Sequence, residues 1–287
     1  MITISNIKQL VLELDKKRKD GKKIGFVPTM GALHLGHISL VKQAKQQNEV
    51  VVASIFVNPT QFNNKEDLAK YPITIEKDSE MLQKADCDVL FLPSVNEMYP
   101  KGFSITNKID FGFMAETLEG EFRPGHFDGM AQIVEKLLLA VAPDALYMGS
   151  KDFQQALIVG EMIKVRKLKT KLIKCPTKRE TDGLAMSSRN IRLDKEARVV
   201  AVELNKTLFY LKRKVNAVRK GALVLGVKDL EMLGEKRLAK FSAITLEYLK
   251  VRDAGTLALK QKVGKSPLVV LIAANVGGVR LIDNIIL

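Results

Sequence analysis

The fold is decided by one stretch near the N-terminus, Gly25-Phe26-Val27-Pro28-Thr29-Met30-Gly31-Ala32-Leu33-His34-Leu35-Gly36-His37. The apolar run from Ile24 to Val27 predicts a buried strand. Pro28, Gly31 and Gly36 then interrupt the pattern, and an amphipathic stretch follows them. The sequence therefore predicts a strand, a tight turn and the start of a helix. In such an arrangement the first N–H groups of the helix and its dipole face an anion.

Two of the three histidines of the chain, His34 and His37, lie three residues apart at this helix start. This spacing puts both imidazoles on the same side of a helix. There they suit the negative charge that develops in a phosphoryl-transfer transition state. The alternative is that both histidines only cap the helix or lie on the surface. Their occurrence together in one glycine-bounded turn favours the functional interpretation.

The composition is that of a globular protein. The chain has 287 residues, of which 46% are hydrophobic and 27% charged, enough for one large domain or two unequal ones. No apolar run approaches the roughly 18 residues that a membrane span needs, so we expect no membrane association. Cys87 and Cys175 lie far apart and outside any C-x-x-C pattern, which favours neither a zinc site nor a disulfide framework. We expect a cytoplasmic protein.

The net charge of +14 raises the question of an anionic partner. The basic residues are dispersed along the chain, and aromatic residues make up only 6% of it. That distribution does not resemble a nucleic-acid-binding surface with stacking aromatics. We therefore predict no nucleic-acid partner, and interpret most of the charge as solvated surface that also steers an anionic substrate toward the protein.

The pattern up to residue 177 alternates between helices and strands. Met1 to Asp20 predicts a helix capped by Ser5, and Val50 to Val57 a buried parallel strand. A loop is expected from Asp67 to Thr74. Further helices are expected at Gly36–Gln47, Ile75–Lys84 and Met130–Val141, and further strands at Asp88–Leu92, Ala145–Met148 and Lys171–Cys175. This alternation predicts an α/β fold with a doubly wound, Rossmann-like, mainly parallel sheet.

Polar residues follow two of these strands at their carboxyl ends, where open α/β sheets bind ligands. Asn58 and Gln61 come after the strand at Val50, although ordinary turn chemistry is an alternative for both. Gly149-Ser150-Lys151-Asp152 follows the strand at Ala145, and Glu119 to Gly129 forms a polar, glycine-rich loop.

The pattern changes beyond Asn190. Asp194 is expected to cap a long helix, and a second helix is expected from Val227 to Lys240. Strands are predicted at Ile244–Val251, Leu268–Val276 and Val279–Ile282. Helices followed by strands indicate a smaller C-terminal α+β domain, with the boundary near Thr177, which divides the chain into residues 1–177 and 178–287.

Several motifs carry a family resemblance. His34-Leu35-Gly36-His37 resembles the "HIGH" signature of the nucleotidyltransferase superfamily. The longer string from Pro28 to His34 is more specific and resembles the pantoate–β-alanine ligases (pantothenate synthetases). Met186-Ser187-Ser188-Arg189-Asn190 resembles the second superfamily signature, the counterpart of "KMSKS". The motifs occur in the order and spacing of the family, and the resemblance reaches Arg280–Asn284.

The resemblance implies a two-step ligation. Pantoate and ATP form pantoyl adenylate and diphosphate, and β-alanine then displaces AMP to give pantothenate. Residues 1–177 would form the Rossmann-like domain with the ATP and pantoate sites, and residues 178–287 a lid. Magnesium is implied as an ion that bridges phosphate oxygens, without metal ligands from the protein. The family also suggests a homodimer.

The resemblance further implies roles for individual residues. His37 would be the proton donor, and His34 and Lys151 would complete the catalytic set. Gln61 and Gln155 would bind pantoate, and Gln61 would also bind β-alanine. The ATP-binding residues would be Met30, Gly31, Ala32, Leu33, His34, Leu35, Gly36, His37, Gly149, Ser150, Lys151, Asp152, Lys178, Met186, Ser187, Ser188 and Arg189.

The chain also departs from the family pattern, since Ser150 stands where a Glu is usual. Two other functions are compatible with the sequence. One is another superfamily enzyme, such as an aminoacyl-tRNA synthetase-like ligase or an adenylyltransferase, of which the adenylyltransferase would keep AMP on its product instead of releasing it. The other is a basic nucleic-acid-binding protein that retains the fold without activity, which would bind RNA with a steep salt dependence and turn over no ATP.

Overall fold

The computed structural model describes residues 1–62, 68–69, 71–105 and 108–287. Of the loop expected from Asp67 to Thr74, residues 67 and 70 lie outside this described part. The chain divides into two compact units. The first comprises Met1–Ser150 and Gln154–Pro176, and the second Lys151–Phe153 and Thr177–Leu287.

The first unit is built on a six-stranded sheet in which all paired strands are parallel. Its strands are β1 (Ile2–Ile4), β2 (Ile24–Thr29), β3 (Val50–Ile55), β4 (Val89–Phe91), β5 (Ala145–Gly149) and β6 (Lys171–Cys175), and they lie in the order β1-β4-β3-β2-β5-β6. The predicted Rossmann-like parallel sheet is thereby confirmed.

Helices cover both faces of this sheet. They are α1 (Ile7–Lys19), α2 (Leu35–Gln47), α3 (Ile75–Gln83), α4 (Val95–Met98), α5 (Phe113–Glu116), α6 (Glu119–Phe122), α7 (His126–Val141) and α8 (Phe153–Val165). Residues of α1, α7 and α8 share a core with Ile24 and Phe26, whereas α2 and α3 share another with Val27. Successive side chains of β2 thus enter opposite cores, as expected of a sheet buried on both faces.

The strand order reverses beside β2. From β2 the chain continues to β3 and β4 on one side, whereas β5 and β6 lie on the other. In open α/β sheets ligands bind outside the carboxyl ends of the strands at such a switch point. The turn that carries His34 follows β2 directly, and Gly149 and Ser150 lie at the end of β5.

The N-terminal prediction is wrong in its first residues. Ile2–Ile4 is an edge strand paired with β4, and α1 begins only at Ile7. All three residues of this short piece are β-branched, which suits a strand, and β4 supplies its partner. The helix cap is Asn6 instead of Ser5, since the Asn6 side chain accepts a hydrogen bond from the N–H of Gln9 at 3.2 Å.

Two further boundaries differ from the prediction. The helix expected from Met130 begins at His126, because Gly125 adopts a left-handed φ of 77° that turns the chain into the helix. The final strand, expected to end at Ile282, continues to Ile286 because it pairs along the strand Leu268–Val276 of the second unit.

The second unit is an antiparallel sheet of three strands in the order β7 (Ile244–Asp253), β8 (Leu268–Val276) and β9 (Val279–Ile286). Helices α9 (Lys195–Arg219) and α10 (Val227–Leu238) share its core. Asp194 caps α9 as predicted, with its carboxylate accepting from the N–H of Ala197 at 2.7 Å. Among the described residues, no helix combines the length and the apolar character of a membrane span.

Gly129 allows α7 to approach the turn after β3, and its substitution tests that approach. A Cβ atom at Gly129 would lie 2.3 Å from the carbonyl oxygen of Thr60, too close for a backbone atom to accommodate. We expect Gly129→Ala to lower the free energy of unfolding by about 1–3 kcal/mol, measured by thermal and denaturant unfolding.

Gly160→Ala in α8 is the matched control, because its Cβ would meet only the end of the Leu172 side chain, at 3.3 Å. Alanine also gains up to about 1 kcal/mol over glycine in a helix interior, so this variant should be as stable as the parent or more so. Equal stability of the two variants would contradict the packing described for Gly129.

Candidate active site

The turn between β2 and α2 has an unusual backbone. Gly31 and Ala32 both adopt positive φ, at 83° and 48°, and this conformation is unfavourable for alanine. The carboxylate of Asp78 in α3 accepts hydrogen bonds from the N–H groups of Ala32 at 2.9 Å and Leu33 at 2.8 Å. Asp78 is only 1% exposed. A buried carboxylate therefore holds the turn, and sequence reasoning missed it because Asp78 belongs to no motif.

Thr29 ties the same turn to the sheet. Its hydroxyl donates to the carbonyl of Ser54 at 2.7 Å and accepts from the N–H of Gly31 at 3.2 Å. The last residue of β2 thus links β3 to the first residues of the turn, which places the start of α2 at the carboxyl edge of the sheet.

His34 and His37 form a reciprocal cap at the start of α2. Nδ1 of His34 accepts from the N–H of Gly36 at 3.1 Å, and Nδ1 of His37 accepts from the N–H of His34 at 3.3 Å. The two ring centroids are 4.1 Å apart. Because Nδ1 is an acceptor in both rings, each neutral imidazole carries its proton on Nε2. Capping and function are therefore compatible, since capping at Nδ1 makes Nε2–H the donor.

Gln61 and Met30, two of the predicted site residues, are in contact in the first unit. Nε2 of Gln61 lies 2.7 Å from the Met30 sulfur, and Oε1 of Gln61 accepts from Nδ2 of Asn58 at 3.3 Å. Asn58 in turn accepts from the hydroxyl of Tyr99 at 2.7 Å, and burial raises the pKa of that phenol. The hydroxyl is therefore a stable donor, and the amide of Asn58 is fixed from behind.

Three further residues that contact or neighbour the predicted site were not singled out by the sequence. His126 and Arg123 both approach the backbone carbonyl of Gln61, from Nδ1 at 2.8 Å and from Nη2 at 3.2 Å. Gln154 is buried next to Gln155, which is partly exposed in the first turn of α8. In the sequence, only the polar loop from Glu119 to Gly129, which contains His126 and Arg123, indicated that these two residues could be functional.

The second unit holds the remaining predicted residues. Nζ of Lys151 lies 3.0 Å from a carboxylate oxygen of Asp152, and the Lys151 carbonyl accepts from Nδ2 of Asn284 at 2.7 Å. Lys178 is exposed, and its carbonyl accepts from the N–H of Met186 at 3.0 Å.

The serine-rich motif follows in the same unit. The hydroxyl of Ser187 accepts from the N–H of Arg189 at 3.2 Å and so caps a 3-10 turn over Ser188–Arg192. Ser187, Ser188 and Arg189 are all partly exposed. The motif thus places two hydroxyls and a guanidinium on one short, capped turn, a combination suited to phosphate oxygens.

An ion pair between partly exposed Arg179 and buried Asp283 fixes the hairpin that precedes this motif. Arg179 donates two hydrogen bonds to Asp283 of β9, at 2.7 and 3.0 Å, and another to the carbonyl of Gly183 at 3.1 Å. Burial raises the pKa of the Asp283 carboxyl, whereas the hydrogen bonds and charge of Arg179 act in the opposite direction. Asp283 therefore anchors the base of the hairpin to β9, and the neighbouring Asn284 anchors the backbone of Lys151 to the same strand.

The first unit is a doubly wound parallel α/β fold with an H-x-G-H turn at its switch point, which is the arrangement expected from the resemblance to the nucleotidyltransferase superfamily. Residues 2–286 match the model of the family described as pantoate-beta-alanine ligase. The pantothenate synthetase of Cytophaga hutchinsonii is 44% identical over 288 residues, which cover 100% of this chain and 99% of that protein.

Solved structures agree with the sequence comparison. The pantothenate synthetase of Thermus thermophilus superposes with a TM-score of 0.89 at 38% identity, over 99% of each chain. The pantoate-beta-alanine ligase of Francisella tularensis, solved in complex with beta-gamma ATP and beta-alanine, gives a TM-score of 0.74 at 38% identity, over 99% of this chain and 97% of that one. The chain belongs to the pantoate-beta-alanine ligase family, and it is a ligase that forms a C–N bond.

Asp78→Asn tests the support of the turn after β2. The amide keeps the shape of the carboxylate but offers one acceptor in place of two, so one backbone N–H would face an NH₂ group. A buried donor left unsatisfied costs about 1–3 kcal/mol, and we expect a loss of that size in the free energy of unfolding, measured with urea.

Glu80→Gln on the same helix is the control, since Glu80 is exposed and pairs with Lys84 at 3.8 Å. This exposed pair should be worth less than about 1 kcal/mol. If Asp78→Asn were no less stable than Glu80→Gln, the carboxylate would not be what holds the turn.

Proposed function

We propose that the chain makes pantothenate from pantoate, β-alanine and ATP through pantoyl adenylate. In the first step the pantoate carboxylate attacks the α-phosphorus of ATP, and the bond to the β-phosphate breaks to release diphosphate. In the second step the amine of β-alanine attacks the activated carbonyl, loses a proton, and AMP leaves with the electrons of the acyl C–O bond. The first step needs alignment and charge stabilisation more than covalent help from the protein.

The observation that carries this proposal is the reciprocal histidine cap. It gives His34 and His37 two Nε2–H donors at the positive end of α2, without an acidic capping residue that would repel phosphate. We assign to them the stabilisation of charge on the phosphates, with His37 as the proton donor. Residues 30–37 would bind ATP together with Gly149 and Ser150.

Gln61 is the residue that we assign to pantoate and β-alanine, and Gln155 the second one for pantoate. The Gln61 amide donates to the sulfur of Met30, and a thioether is a weak acceptor. A substrate hydroxyl can therefore replace this contact at little cost, and the methyl groups of pantoate would find an apolar neighbour in Met30.

The second unit would supply the other ATP-binding groups. Lys151, Ser187, Ser188 and Arg189 carry cationic or hydroxyl groups suited to phosphate oxygens. We assign Asp152 to the ribose hydroxyls, and Lys178 and Met186 to the adenine. Lys151 belongs with His34 and His37 in the proposed catalytic set.

Other features remain predictions from the family resemblance. Magnesium would bind with ATP and be held by phosphate oxygens. In the described part of the chain, no group of three or more His, Cys, Asp or Glu side chains is arranged as a metal site. A cytoplasmic homodimer and a lid role for residues 178–287 also stay predictions, and light scattering of the purified protein tests the dimer.

The order of the two steps predicts an exchange reaction. Because the mixed anhydride forms before the amine is needed, pantoate alone should support exchange of labelled diphosphate into ATP, and β-alanine with ATP should not. Exchange that requires β-alanine would contradict this order. Product analysis should show AMP released in amounts equal to pantothenate.

His37 variants separate its capping from its role as a donor. An asparagine amide reaches the position of Nδ1 and a glutamine amide that of Nε2, so His37→Asn keeps the cap and His37→Gln keeps the outer donor. We expect His37→Asn to lose roughly 10²–10³-fold in diphosphate exchange, as when a charge-stabilising donor is removed, and His37→Gln to lose less.

The second half-reaction is the internal control for the His37 variants. Supplied pantoyl adenylate should react with β-alanine at nearly the parent rate, because AMP leaves with its phosphate charge already present. Single-turnover rates of both steps measure this. Equal losses in both steps, or a smaller loss in His37→Asn than in His37→Gln, would show that His37 acts as a cap only.

A further inference from the structure

The third histidine of the chain is buried against a proposed substrate-binding residue. His126 begins α7 and is 6% exposed, with Nδ1 at 2.8 Å from the backbone carbonyl of Gln61. A carbonyl can only accept, so Nδ1 of His126 carries a proton, in contrast to His34 and His37. Arg123 donates to the same carbonyl at 3.2 Å. The backbone at Gln61 is therefore fixed from the segment that precedes α7.

The other end of that segment is fixed next to Gln155. Gln154 is 2% exposed, and among the described residues its side chain makes three hydrogen bonds to backbone groups. Its Oε1 accepts from the N–H of Glu119 at 3.1 Å, and its Nε2 donates to the carbonyls of Met114 at 2.9 Å and Thr117 at 2.8 Å. Gln154 is the direct neighbour of Gln155 in the first turn of α8.

Residues 114–126, here called the bridging segment, thus contact the backbone of Gln61 at one end and the side chain of Gln154, the chain neighbour of Gln155, at the other. Within it, Oε2 of buried Glu119 lies 3.7 Å from Nη1 of Arg123. Glu119 is bound by Gln154, and Arg123 binds the carbonyl of Gln61, so this ion pair links the two ends of the segment. The contacts that link Gln61 to Gln154 through this segment are hydrogen bonds and one ion pair between described residues of the first unit. Most of them involve backbone atoms.

We propose that the bridging segment sets the separation between Gln61 and Gln155, and that His126 and Gln154 are its positioning residues for pantoate. This inference rests on the proposed roles of Gln61 and Gln155. Pantoate carries two hydroxyl groups separated by only three carbon atoms, so both amides pair with it only if their own separation falls within that short span. Displacing a substrate-positioning group by about 1 Å can lower the reaction rate about 100-fold. The function that we assign to the bridging segment is to prevent such displacements of Gln61 and Gln155.

The test removes the histidine donor without removing the ring. In His126→Phe, the KM for pantoate should rise roughly three- to tenfold, the equivalent of one buried hydrogen bond, while the KM for ATP stays at the parent value. His126→Asn places an amide N–H near the position of Nδ1 and should restore the KM for pantoate. An equal rise in both KM values, or no rescue by asparagine, would overturn the proposal.

A double-variant cycle shows whether His126 acts through Gln61. In Gln61→Leu, which removes the side-chain amide, adding His126→Phe should cause no further rise in the KM for pantoate, whereas independent effects would multiply. Multiplying effects would overturn the proposal. A normal KM for pantoate and for β-alanine in Gln61→Leu alone would instead refute the role proposed for Gln61, so the two failures are distinguishable.

Gln154→Leu tests the contact between the bridging segment and α8. It remains a test of the proposal if His126→Phe does not fold. It removes the hydrogen bonds to the bridging segment and leaves Gln155 in place. We expect a higher KM for pantoate with an unchanged KM for ATP in a protein whose circular dichroism matches the parent. A folded Gln154→Leu variant with the parent KM for pantoate would overturn the proposal.

Discussion

The carboxylate of Asp78 is the interaction on which the site depends. It binds the N–H groups of Ala32 and Leu33 and also accepts from the hydroxyl of Thr74 at 3.1 Å. Left-handed backbone at a residue with a Cβ costs about 1–2 kcal/mol, and the charge-assisted hydrogen bonds at Ala32 offset that cost. The turn can then leave β2 sharply enough for α2 to start at the switch point of the sheet.

Histidine is suited to cap α2 because we propose that negatively charged ATP phosphates bind at this helix start. Asp, Asn, Ser and Thr are the preferred capping residues, but an aspartate here would place negative charge where we propose that ATP phosphates bind. An imidazole accepts a backbone hydrogen bond at Nδ1 and donates at Nε2. The pair His34 and His37 therefore satisfies N–H groups at the start of α2 and adds two donors at its positive end. One set of contacts serves stability and the proposed chemistry.

The sequence predicted features that depend on residues close together in the chain, and it missed features that depend on contacts between residues far apart in the chain. The strand, turn and helix around His34 follow from local periodicity and glycine positions, and so do the parallel sheet and the Asp194 cap. The edge strand Ile2–Ile4 was missed because three residues carry little periodicity and its partner is β4. Asp78 and His126 were missed because they contact groups 46 and 65 residues away, through backbone atoms that leave no pattern in the sequence.

The central claim is that backbone contacts set the protonated nitrogen of each histidine, and ¹⁵N NMR of histidine-labelled protein tests it directly. The three residues are assigned by single substitutions and measured at a pH where the rings are neutral. We expect the proton on Nε2 in His34 and His37 and on Nδ1 in His126. A proton on Nδ1 in either His34 or His37 would contradict the reciprocal cap and the donor role that follows from it.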